Sequence, residues 1–364
     1  MRSDQKKDNF FKRLMSIRGM GQVVSVTGAL LIMWLVFTLL NPAFISRRNM
    51  TSLLRQVAPI LIIGIGQSFV LITAGIDLSI GSVAGMSSML SATLMARGLM
   101  GALPATLLTI ACCLVIGFIN GTLVSRAKLP PFIATLGTMI IARGIAQLVN
   151  NNLNTDSVAT ETLKNLGFNN QWFRDLFYYG SFLDIFTPIW IALALFLVFN
   201  FILSKTRTGR HIYAIGSNYE AAKFSGVNVK TAQTKAYMFS ALMACVVGFI
   251  LTAQSGMGTM DAGTGYELNA VAASVIGGVS TMGGQGLLFG TVVGAFIWGV
   301  LNNGLQFAGA PLALRNIIIG IVVIISVLID RVARGNVMDF RKWFGSNPWF
   351  GARPQKEDRK ADSL

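Results

Sequence analysis

Charge is the first thing this chain lacks. Only 12% of its 364 residues are Asp, Glu, Lys or Arg, about half the share of an ordinary soluble domain. With 53% hydrophobic residues beside that scarcity, the composition excludes a soluble core and points to a polytopic membrane protein. Acidic residues are the rarer sign, 15 against 30 basic, for a formal charge of +15. In a soluble protein such an excess would suggest nucleic acid as a partner. Here most basic residues flank apolar runs and read as topology signals, so no nucleic acid is expected.

Histidine occurs once, His211, beside Arg210 in a basic stretch that reads as a loop. A histidine metal site or a Ser/His/Asp triad therefore lacks its parts. Cys112, Cys113 and Cys245 fall in apolar segments without metal-ligand spacing and read as small packing residues. No stretch has the G-x4-G-K-[ST] form that cradles nucleotide phosphates. The nearest glycine cluster, Gly277, Gly278, Gly283, Gly284 and Gly286, lacks the Lys and Ser/Thr and reads as a flexible connection allowing close backbone approach. No nucleophile with a base or a metal set can be assembled from the spans, so a non-catalytic chain with no cofactor of its own is expected.

Long apolar runs are what the sequence does have. Ten are long or apolar enough to read as spans, at about 19–40, 53–73, 80–95, 103–124, 132–149, 185–203, 236–254, 267–279, 287–307 and 312–329. The expected fold is all-α and polytopic. A basic tail covers 1–18, one transmembrane domain covers 19–332 and a second tail covers 333–364; within the domain, a polar loop occupies 150–184 and a basic segment 205–235. The first run is longer than a signal-peptide core and no small-x-small cleavage site follows it. With the N-terminus inside, 22 basic residues fall on the inner side and seven on the outer, Arg143 staying within a span. The positive-inside rule then puts both termini and the 205–235 segment in the cytoplasm. Spans two to five and seven to ten each bracket a glycine-broken stretch, AGIDLSIGS and GMGTMDAGTGYE. Because the two sets start on opposite sides, an inverted repeat is expected.

Inside the basic segment, residues 217–229 read SNYEAAKFSGVNV. Ser217 and Glu220 have capping-box spacing, Gly226 offers a left-handed stop, and Glu220 and Lys223 lie one turn apart for pairing. About two turns of helix cannot hold in water alone, so this one is expected to dock in a groove. Ala221, Ala222 and Ser225 are small enough for close approach, and Tyr219 and Phe224 serve as anchors; an ordinary capped surface helix is the alternative. Ionisable groups at membrane depth are costly and by default functional. The candidates are Asp77, Arg143, Asp261 and Glu267. Asp77 or Ser79 equally suits a cap for span three, and Arg143 suits the carbonyls of a broken helix. Asn120, Thr135, Asn302 and Asn303 suit either a path for a hydroxylated solute or hydrogen bonding between helices. QWFRDLFYY (171–179) reads as an interfacial helix, and the C-terminal tail with Trp343, Phe344, Trp349 and Phe350 as a lipid-surface segment.

Four stretches together resemble the membrane permease subunits of bacterial ABC importers for ribose, galactose, xylose, arabinose, inositol and related solutes. They are TAGIDLSIGS (73–82), PPFIATLGTMIIARG (130–144), TGRHIYAIGSNYEAAKFSGVNV (208–229) and YELNAVAASVIGG (266–278). They fall in the family's order and, with the span pattern, the resemblance covers nearly everything except the tails. Tyr219 stands where the family often has Pro, and Asn269 where it often has Asp. The resemblance implies that Ser217, Asn218, Tyr219, Glu220, Ala221, Ala222 and Gly226 form or shape a coupling helix on a cytoplasmic ATPase, which binds the ATP and Mg. Asp77, Ser79, Asn120, Thr135, Arg143, Glu267, Asn269, Asn302 and Asn303 stand as the pathway or gating candidates. The resemblance further implies a bacterial inner-membrane location, a second permease copy (homodimer or paralogous heterodimer) and a periplasmic sugar-binding protein. The competing expectation is an ion-coupled secondary carrier of a polar solute.

Overall fold

The computed structural model describes residues 20–333; the two tails, and the lipid-surface segment expected in the second, lie outside them. Fourteen helices follow in order among the described residues, with one two-stranded hairpin. They are α1 (Met20–Leu40), α2 (Arg47–Ile72), α3 (Ile80–Ala96), α4 (Ala102–Ser125), α5 (Pro131–Val149), α6 (Glu161–Asn165), α7 (Gln171–Arg174) and α8 (Thr187–Lys205), then α9 (Arg207–Ser217), α10 (Tyr219–Phe224), α11 (Val229–Ser255), α12 (Tyr266–Ile276), α13 (Leu288–Phe307) and α14 (Leu312–Ala333). Each of the ten expected spans coincides with one helix. Seven are long and apolar enough to cross a bilayer; α3 and the apolar part of α14 are shorter, and α12, with 11 residues, rises only about 16 Å. The fold is all-α and polytopic.

Burial sorts the helices. The spanning window of α2 is 89% buried and that of α1 only 6%, so α2 is the central post and α1 lies at the lipid side. Without a hydrophobic drive between helices in lipid, contact depends on small residues. Gly117 and Gly121 of α4 supply it: a Cβ on Gly121 would lie 2.5 Å from Thr234 Cα of α11. Phe69, Phe199 and Phe239 interlock edge to face where α2, α8 and α11 meet.

The two halves repeat each other, inverted. On α2, Gly64 and Ser68 face α12 and α13, with Ser68 Oγ 3.1 Å from Ser274 Oγ and 2.8 Å from Thr291 Oγ1. On α11, Gly248 and Thr252 meet α3 in the same way, Gly248 against Ser87 and Thr252 Oγ1 2.8 Å from Ser88 Oγ. Gly117 of α4 abuts Ala241 of α11, and Gly299 of α13 abuts Val57 of α2. The breaks after α2 and α11 lie at opposite ends of the bundle. Residues 73–79 share one end with the 125–131, 205–229 and 277–287 segments: Ser125 Oγ lies 3.3 Å from Thr234 Oγ1, and Gly284 N donates to Ile72 O. That is the basic end. Residues 256–265 share the other, loop end with 150–187, where Val158 N donates to Gly256 O and Arg47 pairs with Asp184.

Three expectations are corrected here. The 171–179 segment is not one interfacial helix: α7 passes into a π-turn at Asp175–Tyr179, and Phe173 is fully buried against Phe249. Arg174 Nε and the Tyr179 hydroxyl donate to the carbonyls of Ala253 and Gln254, because the end of α11 leaves those acceptors unpaired. His211 lies on α9, not in a loop; an apolar stripe at Ile212 and Ile215 packs that helix down. The glycine cluster is a close-approach junction, as expected, but a seated one. Gly283 abuts Ala74 and Gly284 abuts Ser217.

Candidate functional site

At the basic end, α9 and α10 form a corner. The residue that caps α10 is Asn218, not Ser217: its backbone is extended (φ −161°, ψ 107°) and its Oδ1 accepts from Ala221 N at 2.9 Å. The expected Ser217–Glu220 box does not form, because Ser217 still belongs to the last turn of α9. The Asn218 side chain caps one residue later, taking the Ala221 amide where the box would have taken that of Glu220. Gly226 does stop the helix (φ +79°). Gly226 N donates to Lys223 O and Val227 N to Ala222 O, a Schellman closure with Val227 packed in the same cluster as Ala222. Glu220 and Lys223 form no ion pair among the described residues.

The corner is half docked already. Ala222 is buried against Ile215, Val229 and Ala232, with Tyr219 packed beside them. Ala222 therefore faces inward, which corrects its assignment to an external contact. Glu220, Ala221, Lys223 and Phe224 face out, and Phe224 is 85% exposed. Behind it, Gly216 touches both Ile72 O and Gly284 N, so the corner bears directly on the last residue of α2 before the 73–79 break. Tyr213, on α9, donates to Gly286 O at 2.5 Å. Burial pushes its phenol up to about 12.

Just inside the break, four sequence candidates converge. Asp77 Oδ1 accepts from Ser79 N and Oγ at 2.9 and 2.6 Å, and Oδ2 from Ser240 Oγ at 2.7 Å. Asn120 donates to Ser79 Oγ at 2.8 Å and accepts from Thr138 Oγ1 at 2.6 Å; Thr135 Oγ1 lies 3.4 Å from Ile76 O. Asp77, Ser79 and Asn120 are each 1% exposed, and Thr135 is fully buried. The capping expectation for α3 holds only for Asp77, since Ser79 itself makes no side-chain cap bond.

The remaining candidates sit elsewhere. Arg143 donates to the carbonyls of Met260 and Ala262 at 2.9 Å, the broken-helix contact expected of it. With Glu267 it lines a cavity of about 370 Å³. Asn269 accepts from Trp298 Nε1 at 3.1 Å. Asn302 accepts from Arg315, and Asn303 exchanges two amide bonds with Asn49 at 2.9 and 3.1 Å. The nine pathway candidates thus divide among separate clusters instead of lining one file. Asp261 is exposed.

A larger cavity of about 600 Å³ opens at the loop end, and sequence reasoning missed its lining. Arg48, Arg55, Gln56, Gln254 and Gln306 supply its polar groups, and the rings of Tyr178, Phe186, Tyr266 and Trp298 its walls. Arg48 and Arg55 counted only as outer charges in the sequence. The signal that could have found them is Arg55 and Gln56 in the first turns of a span that ends in a functional break.

Seven helices apolar and long enough to cross a bilayer, two four-helix sets packed in inverted fashion with a break after the first helix of each, and polar cavities between helices are the architecture of a membrane transporter. The chain belongs to the family described as branched-chain amino acid transport system / permease component, whose model matches residues 49–327. It is 35% identical over 302 residues to the ribose import permease protein RbsC of Escherichia coli (strain K12), covering 83% of this chain and 91% of that one. It is 36% identical to the galactose/methyl galactoside import permease protein MglC of Haemophilus influenzae, covering 80% and 88%. The D-allose transport system permease protein AlsC of Escherichia coli is 34% identical, covering 82% and 88%. No solved structure matches the chain.

Proposed function

We propose that this chain is the permease subunit of an ATP-binding-cassette importer in a bacterial inner membrane, forming the path for a monosaccharide or polyol. The observation that carries the reading is identity of 34% to 37% across most of the chain to permeases named for import of ribose, galactose and allose. The partners are a cytoplasmic ATPase that binds ATP and Mg, a periplasmic binding protein and a second permease copy, identical or paralogous. The positive-inside rule sets the basic end in the cytoplasm.

In this reading α10 presents Glu220, Ala221, Lys223 and Phe224 to the ATPase, while Ser217, Asn218 and Gly226 shape its ends. Ala222 and Tyr219 join it to the permease. Movement of the ATPases displaces the corner, and the contact of Gly216 with Ile72 and Gly284 carries that displacement to the 73–79 break. There the Asp77 cluster either stays closed or reopens, a two-state element of the kind coupling requires. An ion-coupled carrier is less favoured: both Asp77 oxygens are already engaged by serine donors. Phe224→Asp, exposed and free of packing cost, leaves folding intact and loses co-purification with the ATPase. Retention of the ATPase together with normal coupled uptake would overturn the assignment.

A further inference from the structure

We propose that the loop-end cavity is a resting station for one neutral monosaccharide within a single protomer, occupied between release from the outer binding protein and passage inward. The proposal rests on the importer reading above and adds a site to it. The cavity, about 600 Å³, lies within the ~300–1,000 Å³ range of small-molecule sites. It runs from Arg48 to Ile60 along α2, roughly 18 Å at 1.5 Å per residue, so it leads from the loop end into membrane depth.

Its chemistry selects among solutes. No Asp or Glu lines it, so the ammonium of an amino acid would find no counter-charge, although the family carries a branched-chain amino acid description. The walls are not aliphatic either; the apolar groove between α2, α8 and α13 is separate. What the cavity offers is three amides, the hydroxyls of Thr51 and Ser52, two guanidiniums (Arg48 and Arg55) and ring faces. A hydroxyl both donates and accepts, and so does a glutamine amide, which makes Gln56, Gln254 and Gln306 suited to a polyhydroxylated ring.

Arg55 is held in an unusual way. Its guanidinium carbon lies 3.0 Å from the ring centroid of Phe186 and 5.0 Å from that of Tyr178. Its buried Nε has no hydrogen-bond partner among the described residues. The charge is thus stabilised by ring faces; the Nε is sealed from the cavity, so a ligand would be met by the terminal nitrogens of the fork. A planar guanidinium fork spans two acceptors at once, the spacing of adjacent hydroxyls. Trp298 is likewise fixed through Nε1 to Asn269, leaving its ring as wall for the C–H face of a sugar. The Asp77 cluster offers no such fork, since its groups satisfy one another.

The test uses Gln56→Cys in the full-length chain, with Leu99→Cys, exposed outside the cavity, as control and the unsubstituted chain as background. A methanethiosulfonate reagent is applied in detergent with ribose, galactose, allose or fructose at millimolar concentration. At least one neutral sugar is expected to slow modification of Gln56→Cys several-fold and to leave Leu99→Cys unchanged. Ribose 5-phosphate and leucine are expected to protect less. In vesicles holding the ATPase and binding protein, Arg55→Gln should lower sugar uptake about tenfold, the loss of one charge-assisted hydrogen bond. Binding-protein-stimulated ATP hydrolysis should persist. Absence of protection by every neutral sugar, stronger protection by ribose 5-phosphate or leucine, or unchanged uptake by Arg55→Gln overturns the proposal. Wild-type sugar uptake in the same vesicles judges the importer reading separately.

Discussion

Replacing Asp77 by Ala removes the acceptor for three buried donors at once, the amide and hydroxyl of Ser79 and the hydroxyl of Ser240. A buried donor left without a partner costs about 1–3 kcal/mol. Ser79 Oγ keeps its bond from Asn120, so two groups are fully stranded and one partly. The sum is about 3–5 kcal/mol, with some relief if a neighbouring carbonyl can rotate to accept. Asp77→Asn is the informative contrast. Its Oδ1 still serves Ser79, and Ser240 can reverse and accept from the new amide, so the loss should stay near 1 kcal/mol. Ser240→Ala in the Asp77→Ala background should cost little more, giving a coupling between the two of about 1–3 kcal/mol. Reversible unfolding in mixed micelles reads these three variants and the Ser240→Ala single that completes the cycle. If Asp77→Ala unfolded within 1 kcal/mol of wild type, about the worth of a single bond, the cluster would not hold the break together.

Gln67 gives the opposite expectation. It is fully buried in α2, with neither amide atom bonded among the described residues. Gln67→Met should therefore raise stability by about 1–2 kcal/mol in the same assay; a loss of that size would mean the amide is engaged. Gly121→Val should be strongly damaging, because its Cβ would meet Thr234 backbone at 2.5 Å. It is expected to cost about 3 kcal/mol or more by separating α4 from α11, seen as aggregation on size exclusion; a monodisperse, stable variant would contradict the packing argument.

Much of the fold was legible because span length and charge placement are set by the bilayer, not by partners. All ten apolar runs became helices, although α2 and α11 begin at Arg47 and Val229, six and seven residues before the expected starts, and the repeat was suggested by two glycine-broken stretches. The corner at 217–229 was legible as a short capped helix, but not which residue caps it. Ser217 and Asn218 are both good caps, and only the exit angle of α9 decides between them. Spacing could not reveal that Ala222 faces inward, since burial depends on where Ile215 and Val229 arrive. The pathway candidates were chosen as polar residues in spans. Most proved to be engaged in hydrogen bonds within the bundle, while the larger cavity is built from one face of α2 and from single residues of α11, α12, α13 and the 171–186 segment, whose convergence is tertiary.

The central claim is that energy arrives from another chain through α10. Uptake into sealed vesicles containing this protein alone, then with its ATPase, binding protein and ATP, tests it most directly. The account predicts no accumulation of labelled sugar by the chain alone under a proton or sodium gradient, and ATP-dependent accumulation with the partners that Phe224→Asp abolishes. Gradient-driven uptake by the lone chain, insensitive to that substitution, would contradict it.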